Sequence, residues 1–92
     1  MPRPRKRRRI TYRIESFHFK PAGQPAGSSP PVRLGTDELE ALRLCDLKGL
    51  SQRQAALEMN ISRSTLQRML SRARRQVALA LVETRPLILE QA

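Results

Sequence analysis

Apolar positions in the second half of the chain recur at helical spacing. With Leu66 set at zero and about 100° of rotation per residue, Met69, Leu70, Ala73 and Val77 fall within about 60° of it and form an inward stripe. Ser64, Arg68, Ser71 and Arg75 fall within about 40° of the opposite pole, with Gln67 and Arg72 on its flanks. The pattern predicts helices at roughly 37–48, 52–59 and 63–82, enough for a mainly α, trihelical helix-turn-helix core. The last helix is long, and its second half packs either on the first helix or on another subunit.

Capping chemistry fixes the expected boundaries. Thr36 is placed to cap the first helix, with Asp37, Glu38 and Glu40 favourable to the dipole in its first turns. Gly49 is placed to end it. Ser51 followed by Gln54 reads as a capping box, so the second helix starts at Gln52. Asn60 tolerates the left-handed conformation where that helix must stop, and Ser62 offers the next N-cap. Two helices joined by about three residues cross steeply. Ala55 and Ala56 supply a small surface for that crossing, and Met59, Ile61 and Leu66 its apolar plug.

The flanking segments divide the rest of the chain. Residues 1–9 form an extended basic arm containing Arg3, Arg5, Lys6, Arg7, Arg8 and Arg9, opened by Pro2 and Pro4. Within 10–20, Ile10, Tyr12 and Ile14 alternate with Thr11 and Arg13 as in a short strand. Residues 21–35, rich in proline, glycine and serine, read as a linker to the helix-turn-helix domain at 36–82. In the tail at 83–92, Pro86 stops helix. There Leu87-Ile88-Leu89 is either a short strand paired with residues 10–14 or a frayed apolar end.

Charge gives these elements a partner. The 92 residues carry 18 Lys plus Arg against 8 Asp plus Glu, a net charge of +10. From Met59 through Val82 there is no acidic residue, yet arginines stand at 63, 68, 72, 74 and 75. A helix face that is merely solvated mixes its signs. The excess calls for a polyanion, either nucleic acid or an anionic membrane surface, and the arginine fork suits phosphates and guanine edges better than an ammonium does. The expected partner is double-stranded DNA, with the last helix in the major groove.

Roles follow from position. Ser62 and the start of the last helix would anchor a phosphate, as would Ser51 and Gln52 one helix earlier. Ser64, Gln67, Arg68 and Ser71 would face base edges, Arg68 suiting guanine and Gln67 adenine. Arg63, Arg72 and Arg75 would contact backbone, and the basic arm either follows a minor groove or adds diffuse charge. Two alternatives stay open. One is a non-specific RNA or nucleoid binder; the other is a module docking on RNA polymerase or another protein. A homodimer is a further expectation.

Other chemistry is sparse. Cys45 stands alone among leucines, the pattern of a small core residue in a reducing compartment. His18 is the only histidine, and there is no glycine-rich phosphate loop, CxxC pair or metal-ligand spacing. Asp37, Glu38 and Glu40 are accounted for by helix dipole and solubility. The expectation is therefore no enzyme, no cofactor and no metal. No apolar run reaches the length of a membrane span, and the basic N-terminus lacks the apolar segment of a secretory signal, so a cytoplasmic location is expected.

Three stretches carry a family resemblance: RPRK at Arg3 to Lys6, FKPAG at Phe19 to Gly23, and TDELEALRLCDLKGLSQRQAALEMNISRSTLQRML from Thr36. Together they resemble the small prokaryotic family called domain of unknown function 134, and DELEALRL followed by LSQRQAA is the most specific part. The resemblance implies a helix-turn-helix similar to sigma-70 region 4, in the winged-helix-type DNA-binding superfamily, and a role in transcription. Members of that family often carry a cysteine just after RPRK, where this chain has Arg7, Arg8 and Arg9. Asn60 stands where the family's turn usually has glycine.

Overall fold

Local capping chemistry sets the helix ends in the computed structural model, which describes residues 18–23 and 29–90. The elements in chain order are β1 (His18–Phe19), β2 (Val32–Gly35), α1 (Thr36–Leu42), α2 (Gln52–Met59), α3 (Arg63–Val82) and β3 (Leu87–Glu90). A π-helical turn over Arg43–Leu47 continues α1. The molecule is mainly helical, with one small sheet.

At α2 the capping box closes in both directions. Ser51 Oγ accepts the Gln54 N–H at 3.1 Å, and the Ser51 N–H donates to Gln54 Oε1 at 3.0 Å. Asn60 ends α2 at φ 58°, ψ 47°, and the Ile61 N–H reaches back to the Ala56 carbonyl at 3.0 Å. That six-residue closure satisfies a carbonyl the helix leaves open. Ser62 then caps α3 by accepting the Thr65 N–H at 3.1 Å. The far end of α3 repeats the device, with Thr84 left-handed at φ 53° and the Arg85 N–H on the Ala80 carbonyl at 2.8 Å.

The first helix departs from expectation at its N-cap and in the form of its last turn. Its N-cap is Gly35, not Thr36, which is already helical and buried. Strand β2 runs straight into α1, and the extended backbone of Gly35 (φ −76°, ψ 155°) is the conformation an N-cap takes. The last turn widens: the Lys48 N–H donates to the Arg43 carbonyl at 2.9 Å, a π-type span. Gly49, at φ +78°, then supplies the left-handed residue that closes the segment.

Strand β3 lies in the middle of the sheet. It runs antiparallel to β1, with His18 opposite Ile88 and Phe19 opposite Leu87. It runs parallel to β2, from Val32 opposite Leu87 to Gly35 opposite Glu90. The expected C-terminal strand is therefore present. Its expected partner, residues 10–14, lies outside the described residues. The linker assignment for residues 21–35 fails at its end, because Val32–Gly35 is strand. Val32 and Leu34 are buried while Arg33 between them is exposed, and only a partner strand arriving from residue 87 onward makes that alternation productive.

Two apolar layers hold the elements. Ala41, Leu44, Ala55, Ala56, Met59, Leu66 and Leu70 form one cluster, with Ile61, Met69 and Cys45 partly buried against it. Val32, Leu34, Ala80 and Leu89 are buried on the sheet side. The second half of α3 packs within the same chain: Gln76 Nε2 donates to the Arg33 carbonyl at 3.0 Å, and Arg74 Nη2 reaches Asp46 Oδ1 at 2.7 Å. Among the described residues, no helix is long and apolar enough to cross a membrane.

The Arg74–Asp46 pair gives the fold an acid-sensitive clasp. The hydrogen bond from Arg74 holds the Asp46 carboxyl below its ordinary value, against the opposing effect of partial burial. A carboxylate whose folded value is depressed adds stability above its unfolded value, about pH 4, and loses it as pH falls through the folded one. Arg74→Ala is expected to flatten that acid-side slope, read from urea midpoints at descending pH. The effect is modest and fades with salt because both side chains are about half exposed. An unchanged slope would place the acid sensitivity elsewhere. Beside this pair, burial pushes the Cys45 thiol up, with the Asp46 charge adding to it and Arg74 opposing.

Candidate nucleic-acid interface

The caps orient α3 so that Leu66, Leu70 and Ala73 point into the core. Met69 packs beside them, and the polar residues of the helix's first three turns face outward. Arg63, Ser64, Gln67, Arg68, Ser71, Arg72 and Arg75 are all exposed. Five of them, Gln67, Arg68, Ser71, Arg72 and Arg75, line one shallow depression of about 340 Å³. No acidic side chain pairs with Arg63, Arg68 or Arg75 among the described residues. Beyond Arg75 the character of the helix changes. Gln76 to Val82 carries no charge, Leu81 and Val82 are exposed, and Leu81 lines an apolar groove together with Phe19.

The serines at the helix starts have structural duties. The Ser62 hydroxyl bonds to Thr65 Oγ1 at 2.8 Å and to Ser64 Oγ at 3.2 Å in addition to its cap. Ser51 is likewise occupied with Gln54. An anion at either helix start would therefore meet mainly the free backbone N–H groups of the first turn, not a free hydroxyl. Ser51 and the half-buried Gln52 open a different helix from the other candidates. The arm residues Arg3, Arg5, Lys6, Arg7, Arg8 and Arg9 lie outside the described residues.

Arg72, expected to contact the DNA backbone, is held by a carboxylate of α1. Its Nη1 donates to both oxygens of Glu38, at 2.7 and 2.6 Å. Glu38 in turn accepts the Gly35 N–H at 2.8 Å and is almost wholly buried. A Cβ at Gly35 would stand 3.1 Å from Glu38 Oε1 and 2.8 Å from Asp37 Oδ1, so glycine leaves the space in which this carboxylate folds back. The account of Glu38 and Glu40 as dipole and solubility residues is corrected here. Glu40 has no exposed side-chain surface and takes Nε and Nη2 of Arg43 at 2.7 and 3.1 Å. Glu38 was missed as a site residue because its partner lies on another helix, and no local spacing signals it.

The fold and face together define a small, mainly helical protein, compatible with a helix-turn-helix fold, whose third helix carries an arginine-rich outer surface. The model of the family described as "Protein of unknown function DUF134" matches residues 1–92. The chain belongs to that family. A UPF0251 protein of Dehalococcoides mccartyi is 53% identical over 90 residues, covering 98% of this chain and 77% of the relative. One from Halothermothrix orenii is 48% identical over 90 residues, covering 98% of this chain and 67% of that protein. A third, from Vibrio vulnificus, is 48% identical over 89 residues, covering 97% and 89%. No solved structure matches the chain.

Proposed function

We propose that this protein binds double-stranded DNA in a sequence-dependent manner and regulates transcription, using a sigma-70 region 4-like helix-turn-helix of the winged-helix-type superfamily. One observation carries the reading: Gln67, Arg68, Ser71, Arg72 and Arg75 converge on a single depression of α3. A bare helix fits the major groove, which is about 12 Å wide. Charge concentrated on one face supplies the attraction to phosphates, and Gln67 and Arg68 supply base-reading chemistry. Ser64 and Ser71 flank them, Arg63 and Arg75 reach the backbone, and the first turn of α3 receives a phosphate.

Selection from a random duplex pool tests the reading. An enriched motif is expected, and Arg68→Ala should cost about 1–3 kcal/mol on it while relaxing preference at one position. Enrichment of nothing would leave a non-specific polyanion binder. Equal losses on selected and random duplex would remove Arg68 from base reading.

A further inference from the structure

We propose that Glu38 is a positioning residue for DNA recognition, holding Arg72 so that its outer edge reads a guanine instead of a phosphate. The proposal rests on the DNA-reading function above and names a specificity device within that same face.

The geometry divides the Arg72 guanidinium in two. Nη1 is spent on Glu38, which it meets through both carboxylate oxygens. Nε and Nη2 keep their N–H groups on the other side, and the side chain is 57% exposed where it lines the depression with Gln67, Arg68, Ser71 and Arg75. Such an edge matches the paired O6 and N7 acceptors of guanine. An arginine free in water must give up rotamer freedom to present that edge, whereas one already gripped has given it up on folding. The grip itself is firm. Glu38 sits in the first turn of α1, with only 10% of its side chain exposed, and also holds the Gly35 N–H.

Charge points the same way. The Glu38 carboxylate cancels the Arg72 cation at short range, so Arg72 adds little to general attraction for phosphates. Arg63, Arg68 and Arg75 lack such a counter-ion among the described residues. An arginine with fixed direction and neutralised charge is a poor phosphate anchor and a good base reader. Arg63 and Arg75, which have no such counter-ion among the described residues, are the reverse.

The consequence is a pair of effects with opposite signs. Glu38→Gln keeps an oxygen for the Gly35 N–H but removes the charge and loosens the grip. Affinity for random duplex should rise, with the slope of log affinity against log salt steeper by up to about 0.9 for the released charge. Discrimination between selected and random duplex should fall about tenfold or more, and the selected motif should lose a guanine at one position. Arg72→Lys, which keeps the charge but has no fork, should lose the same guanine.

The experiment uses the full chain: duplex selection, followed by titration of selected and random duplex at two salt concentrations. Wild type, Glu38→Gln and Arg72→Lys are compared, with circular dichroism as a folding check. Loss of the same guanine in both variants, with tighter random binding by Glu38→Gln, supports the proposal. Equal weakening on both duplexes by a folded Glu38→Gln overturns it, since that is the signature of a purely structural pair. If Glu38→Gln does not fold, Arg72→Lys decides, and a retained guanine overturns the proposal. A wild-type chain that enriches no motif removes the DNA-reading function and this proposal with it.

Discussion

Leu66→Ala is expected to lower the unfolding free energy by about 3–5 kcal/mol, the upper part of the range for a buried leucine. Leu66 is fully buried and belongs to the cluster containing Ala55, Ala56 and Met59. The cost of such a truncation depends on how far the surroundings can close over the gap. Here they have little to offer. Two of the neighbours are alanines, and the turn between α2 and α3 is fixed by the left-handed Asn60 and the Ser62 cap. Stabilities of native domains run about 5–15 kcal/mol, so the loss is a substantial fraction of the total. A urea titration with unchanged slope and a loss below about 1.5 kcal/mol would show that the crossing collapses after all.

The second large effect belongs to the buried carboxylate of α1. Arg43→Ala is expected to cost about 3 kcal/mol, because it takes a two-point partner from a charge that has left water completely. The net worth of the pair is a separate matter. Replacing both members together, as Glu40→Leu with Arg43→Met, should cost far less than the single change, since desolvation of two ions offsets most of their attraction. A double-mutant cycle by denaturant unfolding measures both quantities. Single and double variants of equal stability would mean that Glu40 keeps adequate partners without Arg43.

What could be read beforehand divides by distance along the chain. Helix α2 at 52–59 and helix α3 at 63–82 begin and end where sequence places them. Their signals are local, set by Ser51 with Gln54, Asn60, and Ser62. The outward face of α3 is equally legible, because 3.6-residue periodicity needs no partner to be visible. Strand β2 is hidden for the opposite reason. Val32, Arg33 and Leu34 alternate for only three positions between a proline and a glycine, and their partner is more than fifty residues away. The grip of Glu38 on Arg72 is hidden in the same way. An acidic first turn has a sufficient local explanation in the helix dipole, so nothing prompts a search for a second. The widened turn at Arg43–Leu47 likewise has no composition cue in the segment that forms it.

The position of β3 between β1 and β2 also bears on the order in which the molecule is assembled. Both pairings of the sheet wait for residues 87–90, the last strand in chain order. Helices α2 and α3, by contrast, are joined by a short turn, and contacts so near in sequence form early. The sheet has the opposite character. His18 must wait for Ile88, and Val32 for Leu87, before either strand has a ladder to join. Until then Val32 and Leu34 have no strand beside them, and the surface they later cover on α3 is open. A folding chain would thus possess its arginine face before it possesses the sheet that braces the far half of the same helix.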